Sequence, residues 1–382
     1  MGRRNAILLA IGVAGLVVIG LVMVASTSVW IEAPGERYSH VKRQLVFALI
    51  GLFAAGALAT IDYRVWRQWW LPILVISSFL LALCYVPGVG VEVNGETRWI
   101  RMPLIGRFQP SEPAKIAMII ALAAWFSSCQ TEVLKFWKGF VLPGILVVIP
   151  VGLVFFEKDM GTAAAMAGAG FVVMFAAGTR VWYLMPSAVA GLAGLYFMVK
   201  SSPNRWNRIM AFMDLDNPEH QQNFGYQQYH GLIAFGHGGI DGLGLGEGHE
   251  KHGTLPFAHT DFILPIIGEE LGLWFTLGVI FCFVMITVYG IAIAMYAPDR
   301  FGRILAIGLT ASIVLPAMMN IGVTTAVLPN TGLPLPFVSY GGTNLVFTLA
   351  AVGLLLSVHR QARFSKKTEM PIDRDERPSV RV

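Results

Sequence analysis

The sequence predicts an all-α polytopic membrane protein with ten transmembrane helices and a large external loop between the seventh and eighth. Three observations carry that reading. The 382 residues are 55% hydrophobic and only 13% charged, with a mean hydropathy of +0.63. A soluble domain of this length needs more charge for its surface. Apolar runs of span length recur along the whole chain, and Lys and Arg gather in alternate connections between them.

Windows of about 19 residues place the spans near 6–28, 45–61, 70–88, 114–127, 139–156, 160–178, 183–199, 264–294, 304–328 and 344–358. The fourth is short for a span. The apolar N-terminal stretch lacks a cleavage signature and leads into further spans, so it reads as a retained first helix. With both termini cytoplasmic, every short inner connection carries a basic residue: Arg64 and Arg67, Lys135 and Lys138, Arg180, then Arg300 and Arg303. The inner segments hold 16 Lys and Arg and the outer ones 12. The net charge of +5 therefore reflects topology, and nucleic acid is not an expected partner. Residues 1–360 form one integral membrane domain that includes the external loop 200–261. Residues 361–382 read as a basic, disordered cytoplasmic tail, preceded by Arg360 at the headgroup level. Cys84, Cys129 and Cys282 have no paired spacing, which indicates neither a disulfide framework nor a zinc site.

Four external segments hold the unusual sequence. The first, Asn94 to Lys115, opens with an Asn-Gly turn signal and carries Trp99 with the cationic Arg98, Arg101 and Arg107. Glu112 and Lys115 stand i,i+3 at the start of a short helix, where a mutual ion pair makes burial tolerable. A solvated loop with an aromatic anchor is the alternative. The second, EKDMGT from Glu157 to Thr162, is either part of a site or the polar cap of a helical hairpin.

The third segment is the long loop from Lys200. Trp206, Ile209, Met210, Phe212 and Met213 share a helical face opposite Arg205 and Arg208, as in a helix lying at the interface. The glycines from Gly238 to Gly248 fit no nucleotide motif and read as structural. Six of the eight histidines fall here, yet no zinc-binding arrangement is present. The loop ends at Asp261, a carboxylate at the mouth of an apolar run, with Glu269 and Glu270 two turns further on. A charge there costs ~2.5 kcal/mol or more, so such acids usually serve an ion path or a reaction. In the fourth segment, LPNTGLPLPFVSYGGT from Leu328 to Thr343, prolines and glycines interrupt the helix between apolar spans. Irregular backbone at that depth is tolerated where it lines a cavity or is buried in protein.

With FQPSEPAK, EKDMGT, the Gly225–Gln227 GYQ, LPFAHTDFI, GEELG and PNTGLPLPFVSYGG in this order, residues 5–360 resemble the SEDS family (shape, elongation, division and sporulation), which contains FtsW and RodA. The resemblance implies a peptidoglycan glycosyltransferase with ten spans, both termini cytoplasmic, and Asp261 as the catalytic carboxylate. Its implied substrate is lipid II, a disaccharide-peptide on undecaprenyl pyrophosphate. Departures from the family pattern are Pro113, Lys158 in place of a proline, His230-Gly231, and Ala326 where glycine is usual.

Pyrophosphate is already a good leaving group, so one base suffices: Asp261 would deprotonate the 4-hydroxyl that attacks the anomeric carbon with inversion. Arg98, Arg101, Lys115, Arg205, Gln227, His259, Thr260 and Ser339 are the candidate substrate-binding residues. Glu112, Asp159, Glu269 and Glu270 are the candidate structural or cation-positioning acids, with Mg²⁺ or Mn²⁺ the expected divalent cation and no organic cofactor. The rival functions are a lipid II flippase, a non-catalytic scaffold, and the elongation paralogue of the same enzyme. Gly268 and the Gly332–Pro334 run favour the septal, FtsW-like branch over the RodA-like one. No transpeptidase nucleophile set is present, so the expected partners are a class B penicillin-binding protein and other cell-division membrane proteins. The expected location is the inner membrane at the septum, with the site external.

Overall fold

The computed structural model describes residues 2–31, 38–93, 96–102 and 106–369. Two long helices open the chain, α1 (Gly2–Ile31) and α2 (Ser39–Thr60), followed by a short α3 (Arg64–Gln68) and α4 (Trp70–Leu83). After a small sheet come α5 (Ser111–Ser128), a π-helical turn over Trp137–Val141 that runs into α6 (Leu142–Phe156), α7 (Met160–Ala177) and α8 (Val181–Lys200). The long loop contains α9 (Pro203–Met213), α10 (Pro218–Gln222) and α11 (Tyr226–Gly238), and the chain closes with α12 (Ile263–Met295), α13 (Arg300–Thr324) and α14 (Gly342–Glu369). Eight described helices are long and apolar enough to cross a membrane, and α4 is a shorter apolar helix. The expected fourth span corresponds to α5, whose polar first turn and serines lower its hydropathy. A count of ten rests on α4 and α5.

The bundle is built around α13 and α5. The latter is buried nearly all round, through Ala114, Met118, Ile119, Leu122 and Phe126, and α13 packs against α5, α7 and α12. Helix α2 pairs with α14. By contrast α8 buries only Leu184 and Val199, leaving Trp182, Leu192 and Phe197 facing outward. Apolar side chains on that scale are stable facing lipid.

The chain is mostly helical, as expected, and two details add to that picture. The chain is not wholly helical: β1 (Gly90–Val93), β2 (Glu96–Met102) and β3 (Gly106–Phe108) form an antiparallel sheet in the order β1-β2-β3. Val91, Trp99 and Ile100 supply the β-branched and aromatic side chains that favour strands. The Asn94-Gly95 turn lies outside the described residues. The tail also begins later than expected, because α14 continues to Glu369 through a stretch rich in good helix formers and free of Gly and Pro. Residues 370–382 lie outside the described residues.

The expected eighth span, α12, is broken within its length. Gly272 takes φ 77° and ψ −173°, a conformation open to glycine, and a Cβ there would stand 2.4 Å from the Ile240 carbonyl oxygen. The break frees the carbonyls of Glu269 and Glu270, which accept from Leu243 N–H and Gly244 N–H at 2.9 Å each. The glycine-rich run is thus a loop stitched onto a helix break, in agreement with its structural reading.

Candidate active site around Asp261

Asp261 sits on the turn just before α12, half-buried. Its side chain accepts from Thr260 Oγ1 at 2.7 Å. Its backbone carbonyl accepts from Asn320 Nδ2, also at 2.7 Å, and the same amide group donates to the Leu333 carbonyl at 2.7 Å. One buried amide from α13 therefore ties the Asp261 turn to the irregular 328–341 segment. That segment approaches closely at Gly332, where φ is 67° and a Cβ would lie 4.0 Å from Asp261 Oδ2.

Other contacts fix the same two segments. Ser339 Oγ donates to the Thr260 carbonyl and accepts from Leu335 N–H. Tyr340 N–H donates to the His259 carbonyl at 2.9 Å. Gln44 in α2 donates to the Ser339 carbonyl and accepts from Gly341 N–H. Gln227 accepts from Asn330 Nδ2 at 2.6 Å, and Asn330 in turn accepts from Gly332 N–H. Ser339 and Gln227, expected to bind substrate, are thus engaged in holding the loop that forms the wall. His259 packs edge-on against His40, and its ring nitrogen Nδ1 has no hydrogen-bond partner among the described residues. Burial, aided by the nearby His40, pushes the His259 pKa down to about 4, so its ring is neutral at pH 7.

Burial pushes the Asp261 carboxyl above its ordinary range, against Thr260, its own backbone, and the guanidiniums of Arg98 and Arg208, which favour ionisation. Arg98, on β2, also lies 3.3 Å from Asp159 Oδ2 and stacks over Trp99. Asp159 caps α7 by accepting from Thr162 N–H and Oγ1, and Gln109 reaches it at 3.5 Å. Arg101 is exposed and pairs in register with Arg107 across β2 and β3. Like charges directly opposite in a sheet are destabilising, and an anion between them offsets that. Of the two α9 arginines, Arg208 is the one whose charge favours ionisation of Asp261. Lys115 and Glu112 are buried and paired with each other at 2.8 Å within α5.

Glu269 and Glu270 belong to a different cluster. Glu270 accepts from Lys251 Nζ at 2.6 Å, from Ser26 Oγ at 2.8 Å and from Gly246 N–H at 2.9 Å. Glu269 accepts from the backbone N–H groups of His249 and Glu250. They anchor the 242–251 loop. Among the described residues no three His, Cys, Asp or Glu side chains are grouped to hold a metal ion. With Asp159 spent on its cap and on Arg98, the donor set does not fit a preformed divalent-cation site.

Sequence reasoning missed Asn320, Gln44, Gln109, Lys251 and the choice of Arg208. Asn320 had a signal, a lone amide inside an apolar span, where polar groups are rare and usually functional. Three buried atoms near Asp261 have no hydrogen-bond partner among the described residues: His259 Nδ1, Asn320 Oδ1 and Thr331 Oγ1. Such unmet polar groups call for a ligand or water to complete them.

Known proteins align over nearly the whole chain. A family model described as cell cycle protein, covering FtsW, RodA and SpoVE, matches residues 7–364. A protein of Geobacter metallireducens named "Probable peptidoglycan glycosyltransferase FtsW" is 41% identical over 359 residues, spanning 93% of this chain and 94% of its own length. Stage V sporulation protein E of Bacillus subtilis is 40% identical, over 91% and 95% of the two chains. Among solved structures, a chain of a peptidoglycan synthase complex that coordinates polymerization and crosslinking superposes with a TM-score of 0.74 at 27% identity, covering 93% and 97%. The rod shape determining protein RodA of Thermus thermophilus gives 0.68 at 28% identity, covering 93% and 96%.

Proposed function

The chain belongs to the FtsW, RodA and SpoVE family of cell cycle proteins, and from that premise we propose that it is a peptidoglycan glycosyltransferase polymerising lipid II, with Asp261 as general base. The observation that carries the proposal is the Asp261 carboxyl itself: hydrogen-bonded by Thr260, on a turn whose backbone carbonyl is fixed by Asn320, raised in pKa by burial, and in the field of Arg98 and Arg208. A base with a raised pKa takes a hydroxyl proton more readily near neutral pH. Asp261 accepts the proton of the acceptor sugar's 4-hydroxyl as that oxygen bonds to the anomeric carbon of the lipid-linked strand. The bond from that carbon to pyrophosphate breaks, and undecaprenyl pyrophosphate leaves. Arg98 and Arg208, with the exposed Arg101–Arg107 pair, are the cations available to the departing charge. Among the described residues the carboxylates do not gather into a metal site, and the proton transfer to Asp261 needs none.

The flippase reading has less support. Glu112 is paired with Lys115 and Glu270 with Lys251, so the acids that a headgroup path would use are already neutralised. The basic inner connections support an external site in the inner membrane, and the similarity to FtsW proteins supports a septal role. The likeness to a chain of a peptidoglycan synthase complex supports a crosslinking partner, for which we infer a class B penicillin-binding protein. Other division membrane proteins are further partners. Depletion is expected to give filaments with blocked septa; rounded cells that still divide would place the chain in elongation.

The decisive experiment uses the purified full chain and lipid II. Asp261→Asn keeps side-chain volume, removes the base, and is expected to lower glycan polymerisation by on the order of 10² or more without changing the melting profile. Glycan strands made at the wild-type rate by the folded Asn variant would sink the assignment.

A further inference from the structure

Two cavities meet at the far end of α13 from Asp261. One, of about 390 Å³, is walled by Asp299, Arg300 and Arg303. The other, of about 530 Å³, is walled by Arg64, Arg67, Asp299 and Phe301. Both volumes fall in the ~300–1,000 Å³ range of small-ligand sites. Four guanidiniums face one carboxylate, a net charge of +3.

That carboxylate is already committed. Asp299 caps α13 through Gly302 N–H at 2.7 Å and accepts from Tyr63 Oη at 2.6 Å and Arg64 Nε at 2.9 Å. Arg300 donates to the Ala177 carbonyl, and Arg67 reaches Ser128 Oγ at 3.4 Å. Among the described residues neither they nor Arg303 forms an ion pair. Guanidiniums in that state match the paired oxygens of a phosphate.

Depth points to a lipid. From Asn320 beside Asp261 back to Asp299, α13 rises about 30 Å at ~1.5 Å per residue, close to the hydrocarbon thickness of a bilayer. The cavities therefore stand at the opposite headgroup layer. Beside them Val65, Trp69 and Leu71 are exposed, giving an aromatic interface anchor and an apolar flank for acyl chains. Basic pockets between helices on the cytoplasmic side are suited to anionic headgroups.

We propose that this cleft binds the phosphodiester headgroup of an anionic phospholipid in the leaflet opposite Asp261. The phosphate lies over the Arg64–Asp299 pair that divides the two cavities, with Arg67 reaching it from one cavity and Arg303 from the other. The inference needs the spanning arrangement and is independent of the role of Asp261.

The test is native mass spectrometry of the full chain in detergent, given phosphatidylglycerol or phosphatidylcholine with the same acyl chains. Wild type is expected to retain phosphatidylglycerol preferentially, and the Arg67→Gln, Arg303→Gln double variant to lose about tenfold or more of that retention, as two charge-assisted hydrogen bonds are removed. Retention of phosphatidylcholine should not change. Equal phosphatidylglycerol retention by both proteins would overturn the site. Displacement of the lipid by equimolar inorganic phosphate would make free phosphate the ligand and overturn the lipid assignment. If the double variant does not fold, wild type in graded salt still decides: phosphatidylglycerol retention must fall as salt screens the cleft, and salt-independent retention counts against the proposal.

Discussion

Lys251→Met is expected to be among the most destabilising single changes in this chain, and its partner substitution to repair most of the damage. Both the Lys251 and Glu270 side chains are fully buried, with Nζ 2.6 Å from Oε1. At an effective dielectric of ~20 that separation gives roughly 6 kcal/mol of attraction, offset by several kcal/mol of desolvation for each ion. The net worth of the intact pair is therefore small, but removing one partner is a different matter. Lys251→Met leaves the Glu270 carboxylate with Ser26 Oγ and Gly246 N–H alone, and strands charge in the protein interior at a cost of about 3–5 kcal/mol. It also removes the hydrogen bond that closes the loop onto the Gly246 carbonyl. Lys251→Met combined with Glu270→Gln removes both charges and keeps an acceptor for Ser26 or Gly246, so the double variant should lie within about 2 kcal/mol of wild type. The assay is unfolding in detergent across the four members of the cycle. A coupling energy below about 0.5 kcal/mol would refute the reasoning. Polymerase activity gives the second readout: a stable double variant without activity would move Glu270 from anchoring the loop into the chemistry.

Three further predictions follow from individual residues. Ala326, at φ 52°, ends α13 in a Schellman arrangement in which Val327 N–H donates to the Gly322 carbonyl and Ala326 N–H to that of Val323. Ala326→Gly relieves a left-handed alanine and should raise stability by about 1 kcal/mol, and an unchanged or lower melting temperature would contradict it. Burial, opposed by the Cys84 thiol, pushes the Glu157 carboxyl up from 4.5 to about 8. The folded state then holds this proton more tightly, so the stabilisation is fully present below about pH 4.5 and lost as pH rises through about 8. Glu157→Gln should flatten that fall, and unfolding profiles measured across the window with the same slope in both proteins would exclude it. For topology, cysteines placed at Lys135 and Glu219 of a cysteine-free chain should be labelled by a membrane-impermeant thiol reagent from inside and outside respectively; labelling of position 135 from outside would invert the map.

What the sequence made legible depended on how local the cause was. Asp261 stood out because a carboxylate beside an apolar run is costly wherever it sits, and the long helices followed from hydropathy alone. The sheet was half legible: Asn94-Gly95 is a hairpin signal when alternating β-formers flank it, but the arginines of 98, 101 and 107 made the stretch resemble a solvated loop. Glu269 and Glu270 were recognisable as buried acids, while their role was not, since it depends on Lys251 in the preceding loop and on Ser26, 244 positions from Glu270. No periodicity reports a partner at that separation. Arg205 and Arg208 share a face of α9 one turn apart, and only the docking of α9 decides which guanidinium's charge bears on Asp261. Ala326 shows the converse case. Its place in a pattern usually held by glycine carried backbone information, because a left-handed cap strains any side chain. The strain lies six residues, nearly two turns, beyond Asn320, the residue that ties the Asp261 turn to the 328–341 wall. The cap that turns the chain out of α13 and the amide that holds the base therefore belong to one stretch of helix, and the orientation of the Asp261 turn depends on how firmly that helix ends.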